Sequence, residues 1–142
     1  MTIDCRDPAA LVSFWQPLLG YAVPAPPSPH TTWRDWYRSV GVPAEEIAGD
    51  GADRLAPPDG VGLPIWFQVV PEGKTVKNRL HLDLRVSGGR QVPRDERRRD
   101  IESAVAEVRR RGGALIRWGE DDQTDHVFAV MADPEGNEFC LV

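Results

Sequence analysis

Three short runs place side chains that can move protons, attack carbon or hold metals at alternate positions. They are Trp66 and Gln68, then His81, Asp83 and Arg85, then Glu138 and Cys140. Successive side chains on a β-strand point to opposite faces, so a spacing of two keeps each set on one face. Imidazole titrates near neutral pH, which suits His81 to general-base work. Its plainer role is a hydrogen-bonded interior histidine. Cys140 is a nucleophile if a neighbouring cation lowers its pKa, and otherwise a small buried hydrophobe. Asp83 and Arg85 either contact a ligand or join Asp4 in a buried ion-pair network that fixes strand register. Trp66 is either an aromatic wall or core packing. Cys5 has the opposite strand parity and should lie under a helix, so no Cys5–Cys140 disulfide is expected. His126, at a strand start, and His30, in a proline-rich loop, are expected to face solvent.

The elements that must position these groups are partly legible. Thr2 to Cys5 reads as a strand. Asp7-Pro8 opens a helix, with Asp as N-cap and Pro at the first helical position. Leu11, Phe14, Trp15 and Leu18 recur at helical spacing, and Gly20 closes the helix as a left-handed cap. Pro17 conflicts with it and should kink or tighten the last turn. Residues 22–31 read as an extended loop. Thr31 or Thr32 caps a short helix through Trp33, Trp36 and Tyr37 that ends near Gly41, and a second short helix covers Ala44 to Ile47. A loop follows to Gly62, with a short strand within 52–56, and Ile65 to Val70 is a strand. Arg79 to Val86 is the clearest strand by alternation: Leu80, Leu82, Leu84 and Val86 face one way; His81, Asp83 and Arg85 the other. After Gly88-Gly89 a helix carries Ile101, Ala104, Val105 and Val108 on one face and stops at Gly112-Gly113. Ala114 to Trp118, His126 to Ala132 and Glu138 to Val142 are strands. The order strand, helix, glycine stop and strands occurs once in each half.

Bulk properties exclude several classes. The net charge is −5 over 142 residues, which argues against nonspecific nucleic-acid binding. No run approaches the roughly 18 apolar residues of a membrane span, and no leader precedes Thr2. Two distant cysteines make no disulfide framework, so a reducing cytoplasm is expected. A Ser-His-Asp triad, a phosphate loop and a zinc-finger pattern are absent. The arginine-rich run from Arg94 to Arg111 is interrupted by Asp95, Glu96, Asp100, Glu102 and Glu107, and reads as a solvated, salt-bridged helix face. Trp33, Trp36 and Tyr37 on one short helix read as a lid over a binding site or a contact with a second subunit, burying most of Trp33 or Trp36.

Three segments in the right order carry a family resemblance. They are Ile3-Asp4-Cys5-Arg6-Asp7-Pro8 with Phe14-Trp15 and Leu18-Leu19-Gly20-Tyr21; Phe67 to Lys74 leading through Lys77 to Leu84; and the closing Asp133-Pro134-Glu135-Gly136-Asn137-Glu138-Phe139-Cys140. Together they resemble the glyoxalase / bleomycin-resistance / dioxygenase group, the vicinal-oxygen-chelate superfamily, in its glyoxalase-like branch common in actinobacteria. The resemblance implies an α+β fold of two βαβββ modules forming a cupped eight-stranded mixed sheet around a central pocket. The first module is 1–70 with an insertion at about 24–62, the linker 71–78 and the second module 79–142, all within one structural domain.

It also implies metal ligands on the first and fourth strands of each module. His81 stands at one such place, and Gln68 at or beside another. Cys140 stands where Glu is usual, and the fourth place yields no histidine. No resident metal or other cofactor is therefore expected. An ion, if bound, would use His81 and Gln68, and a thiolate would favour zinc over magnesium or manganese. The implied function is binding of a small molecule in the central cup, against Trp66, Gln68, Asp83, Arg85, Glu138 and Trp36. Two versions stay open. One is a lyase- or isomerase-type enzyme with His81 as general base and Cys140 as a second catalytic candidate. The other is a non-catalytic binding or sequestration protein like the bleomycin-resistance branch. Many relatives are dimers, so a homodimer is expected.

Overall fold

A computed structural model describes residues 1–47 and 49–142. Ala48, inside the 24–62 insertion, lies outside the described residues. Among the described residues, seven strands and three α-helices divide between two compact units, Met1–Gly73 and Lys74–Val142.

The first unit begins with β1 (Thr2–Cys5) and α1 (Pro8–Leu19). Asp7 caps α1 by accepting from the Ala10 amide at 3.0 Å. Gly20 ends it at φ 65°, a left-handed conformation that favours glycine. Pro17 is tolerated inside the last turn, and the chain stays helical to Leu19. α1 buries Leu11, Val12, Phe14 and Trp15. It packs on β2 (Arg54–Leu55) and β3 (Ile65–Val69), where Leu55, Ile65 and Phe67 are also buried. Each such side chain contributes roughly 1.5–3 kcal/mol by leaving water.

The sheet order is β1-β3-β2, with β1 parallel and β2 antiparallel to β3. A single antiparallel bridge, Ala22 to Ala56, stands where a fourth strand would lie. Pro24, Pro26, Pro27 and Pro29 follow Ala22. Proline has no amide hydrogen, so they cannot donate to a ladder there.

The second unit runs β4 (Asp83–Leu84), α3 (Arg94–Arg110), β5 (Ala114–Asp121), β6 (His126–Ala132) and β7 (Glu138–Leu141). Its order is β4-β7-β6-β5, with β4 parallel to β7 and the other pairs antiparallel. The first unit follows the same order, with Ala22 in the place of β5. The repeat is thus present in topology, but the described strands form sheets of three and four rather than one confirmed sheet of eight.

One face of the second sheet is dry. Ile101, Val105 and Val108 of α3 lie over it, and Val127, Ala129, Met131, Phe139 and Leu141 are buried. The closing turn is held by Asp133, only 3 % exposed, which accepts from the Glu135 and Asn137 amides and from the Asn137 side chain.

Three expectations need correction. The Arg79–Val86 strand reduces to two ladder residues, and Leu80 is 86 % exposed. The ladder starts only where the Cys140 amide reaches the Leu82 carbonyl at 2.8 Å. Before that the Asn78 side chain, not a strand, accepts from the Glu138 amide. Asp4, Asp83 and Arg85, expected to be buried if they formed an ion-pair network, are each exposed. The arginine run is salt-bridged as read, through Arg94, Arg98, Arg110 and Arg111. Arg97 departs from it, since it is 4 % exposed and turned inward.

α2 (Trp33–Ser39) is capped by the Thr32 hydroxyl, which accepts from the Asp35 amide. Trp33 is buried within its own unit. Its indole N–H donates to the Pro24 carbonyl at 2.7 Å, and the Arg54 guanidinium lies 3.8 Å over its ring. Gly51 makes this approach feasible: a Cβ there would meet the Arg34 amide nitrogen at 2.8 Å.

Candidate functional site

The open face of the second sheet gathers most of the reactive side chains. Register places Asp83 of β4 beside Cys140 of β7, Cys140 beside Val130 of β6, and Val130 beside Arg117 of β5. Glu138, two residues before Cys140 on β7, falls on the same face by alternation, and His81, just ahead of β4, lines the same recess. His81 Nε2 lies 3.3 Å from Asp83 Oδ1. The donor atoms of His81, Asp83 and Cys140 all lie within 4.8 Å of one another. Glu138 is paired with Lys77. A recess of about 360 Å³ includes Lys77, His81, Arg117, Phe128, Glu138 and Cys140.

Electrostatics assign states to two of these groups. Burial first, and the Asp83 carboxylate second, push the Cys140 thiol up from its ordinary value. Cys140 is therefore a neutral thiol near pH 7, which argues against a thiolate nucleophile. The hydrogen bond from Lys77 holds the Glu138 carboxyl below its usual range. Its contribution to stability is present above the unfolded carboxylate pKa and fades as pH falls through the folded one. Both cysteines are reduced thiols, and Cys5 is buried with 1 % exposure.

The first unit holds a second recess, of about 530 Å³, lined in part by Tyr37, Asp53, Trp66 and Gln68. Alternation along β3 buries Ile65 and Phe67 under α1 and leaves Trp66 40 % exposed on the other face. Asp53 is the hub. It accepts from the Trp66 indole at 2.9 Å, from Arg54 Nε at 2.9 Å and from the Tyr37 hydroxyl. Burial and the bond to Asp53 push the Tyr37 pKa up to about 12. Tyr37 is therefore a neutral donor throughout the physiological range.

The sequence-derived set has members in both units. His81, Asp83, Glu138 and Cys140 share one open face in the second unit. Trp66 and Gln68 share a recess in the first. Trp36 packs edge-on to Trp33, ring centroids 5.3 Å apart, and does not line either recess. Arg85 lines a third hollow with Arg90 and His126. His126 is exposed, as its strand-start position suggests, whereas His30 is half-buried beside Ser39. Sequence reasoning missed Asp53, and named Tyr37 only as one aromatic of the inserted helix. Asp53 gives no local signal beyond being an acidic residue in the loop before β2.

Comparison with known proteins gives the fold its context. A family model described as glyoxalase-like domain matches residues 1–142. No curated protein matches the chain significantly. Among solved structures, a glyoxalase/bleomycin resistance/dioxygenase family enzyme from Burkholderia phytofirmans PsJN is 18 % identical, with a TM-score of 0.59 over 99 % of this chain and 93 % of that one. A superfamily member from Sphaerobacter thermophilus is 17 % identical, with a TM-score of 0.55 over 100 % and 92 %. The fosfomycin resistance protein FosX of Listeria monocytogenes, solved with Mn(II) and 1S,2S-dihydroxypropylphosphonic acid, is 12 % identical, with a TM-score of 0.57 over 99 % and 83 %. At these identities the neighbours share only a fold with this chain, and the full-length family match carries the assignment: the chain belongs to the glyoxalase-like domain family.

Proposed function

We propose that the protein binds a small polar or aromatic molecule, with Trp66 and Tyr37 as walls and Asp53 and Gln68 as polar contacts. One observation supports this most: a 40 % exposed tryptophan fixed by a hydrogen bond at the edge of a recess. Exposed, oriented aromatics beside a few convergent polar groups are the usual make-up of a ligand pocket. The test is a thermal-shift screen of small aromatic and polar compounds, followed by calorimetry on the hits. Trp66→Ala is expected to weaken any hit by tenfold or more while the β1–β3 ladder persists. Hits that bind the variant as tightly as wild type would remove the proposal.

A second reading, lyase- or isomerase-type proton transfer, is favoured by the His81–Asp83 contact. In that reading the imidazole takes a proton from the ligand, and the carboxylate 3.3 Å away stabilises the resulting imidazolium. The two readings separate on one variant. His81→Ala abolishes turnover if the protein is an enzyme, and leaves it a competent binder if it only sequesters. The same proposal has the protein acting in the cytoplasm as a homodimer, with a small molecule rather than nucleic acid or a membrane as partner. No helix among the described residues is long and apolar enough to cross a membrane.

Metal dependence is part of the proposal. A hard ion such as the Mn(II) of the Listeria protein prefers oxygen and imidazole donors, and the thiol of Cys140 is a poor match. Zinc accepts this mixed set, but Cys140 would first have to lose a proton that burial and Asp83 retain on it. His81 and Asp83, both exposed, would also have to be ordered. Protein purified without chelator or nickel affinity is expected to carry well under one divalent ion per chain. Elemental analysis showing about one zinc per chain, lost on His81→Ala, would refute this.

A further inference from the structure

In a protein of net charge −5, one hollow of the second unit brings three arginines and a histidine together. This hollow, about 420 Å³, is lined by Arg85, Arg90, Arg97 and His126, with Val127, Phe128 and Val142 as its apolar part and no Asp or Glu side chain; the Val142 main-chain oxygen is engaged by the Val86 and Ser87 amides. The charge of Arg97 is already spent on Asp125, 2.6 Å away. Arg85 and Arg90 are different. Among the described residues neither forms an ion pair, although Asp and Glu outnumber Lys and Arg in the chain by 22 to 17. Arg90 instead donates to His126 Nε2, which gathers two nitrogen-rich side chains at one rim. A guanidinium has no acceptor, so His126 is the acceptor in that pair.

The backbone here is built for this arrangement. Ser87-Gly88-Gly89 links β4 to the segment before α3. Gly89 has φ 71°, and a Cβ on Gly88 would meet Val92 Cγ2 at 2.3 Å. Two glycines thus let the chain turn tightly enough to bring Arg90 back toward His126. Gly119 does the same for the apolar part. A Cβ there would lie 2.1 Å from the Phe128 ring, so its absence lets the ring lie across β5.

We propose that Arg85, Arg90 and His126 form a receptor for a small organic oxyanion, a carboxylate or phosphate ester, whose apolar body rests on Phe128. Guanidinium groups match the planar oxygens of a carboxylate and the oxygens of a phosphate through paired, charge-assisted hydrogen bonds. An aromatic floor adds contact area for the attached group. The site shares the Phe128 ring with the recess around His81, and Arg85 is one of the ligand contacts expected from the sequence, but it uses none of Trp66, Tyr37, Asp53, Gln68 and His81, so either assignment can fail without the other.

The test is an NMR titration of the intact chain with benzoate and phenyl phosphate, and with benzylamine as the cationic counterpart. Saturable shifts are expected at the His126 ring and the Gly88 and Gly89 amides, with a Kd near or below about 1 mM. Benzylamine should give none at these residues. Arg85→Gln with Arg90→Gln should weaken the binding of both anions at least tenfold. If only one anion binds, it identifies the head group. If the double variant loses its fold, Arg85→Gln alone repeats the test, because Arg85 pairs with nothing structural. Absence of shifts by about 10 mM for both anions, equal binding of benzylamine, or undiminished binding by the arginine variants would each overturn the proposal.

Discussion

Asp53→Ala is expected to destabilise the protein by about 2–4 kcal/mol and to abolish ligand binding in the first unit. The carboxylate satisfies three donors at once: the Tyr37 hydroxyl, the Trp66 indole and Arg54 Nε. Its side chain is only 14 % exposed, so water replaces it poorly. Removal leaves Arg54 stacked on Trp33 without its counter-charge. It also releases Trp66, whose orientation makes the recess. Urea unfolding gives the stability change. Tyrosinate absorbance gives an independent check. Tyr37 titrates at about 12 because of burial, then the bond and charge of Asp53. In the variant its pKa should move back toward the ordinary value near 10. The sign follows from linkage. A raised folded pKa adds stability that is complete below about 10 and is lost as pH rises through about 12. That alkaline loss should shrink in Asp53→Ala. A variant with wild-type stability and an unmoved Tyr37 titration would show that the network carries no weight.

Arg97→Ala is expected to cost about 2–4 kcal/mol, although Arg97 belongs to a run that looks solvated. Its guanidinium is spread over three acceptors: the Val92 carbonyl at 3.0 Å, the Asp125 carbonyl at 2.9 Å and the Asp125 carboxylate at 2.6 Å. It thereby pins the turn between β5 and β6, where Asp125 sits at φ 52°. A non-glycine residue in that region needs its surroundings to hold it. Asp125 is half exposed and will regain water, so the cost should stay below that of a fully buried orphaned charge. Lysine should not rescue, because one ammonium cannot reproduce the planar fork that spans these acceptors. Hydrogen exchange should speed up at residues 121–127 in both variants. If Arg97→Lys behaves as wild type, the fork geometry is irrelevant and charge alone suffices.

The two variants fall in places where the sequence was read with unequal success. Local rules act over a few residues, and where they suffice the reading was accurate. Asp7, Pro8 and Gly20 set the ends of α1, because a cap and a left-handed stop each involve only near neighbours. The Asp133–Asn137 turn closes on itself through the side chain of Asp133. Period-two alternation put Trp66, Gln68, His81, Asp83, Arg85, Glu138 and Cys140 on one face; Trp66 and Gln68 line one recess, His81, Glu138 and Cys140 another, and Arg85 a third. The three matching segments identified the family, and the full-length match agrees.

Alternation failed where it was clearest. Arg79 to Val86 has the best pattern in the chain, yet only two residues join a ladder. A strand needs a partner, and β4 is an edge strand whose single neighbour, β7, begins at Glu138. Composition failed at Arg97, because a charged helix position gives no sign of a distant carboxylate and two free carbonyls. It failed again at Asp53, whose partners are 16 and 13 residues away in sequence.

The resemblance to the family, the limits of α1 and the closing turn were legible from the chain alone, because each depends on chemistry within a few residues. Only the tertiary structure decided which charges are buried, that Cys140 stays a thiol beside Asp83, and that Tyr37, Asp53 and Trp66 form one network. Those outcomes depend on desolvation and on contacts between segments far apart in the chain, which local propensity does not encode.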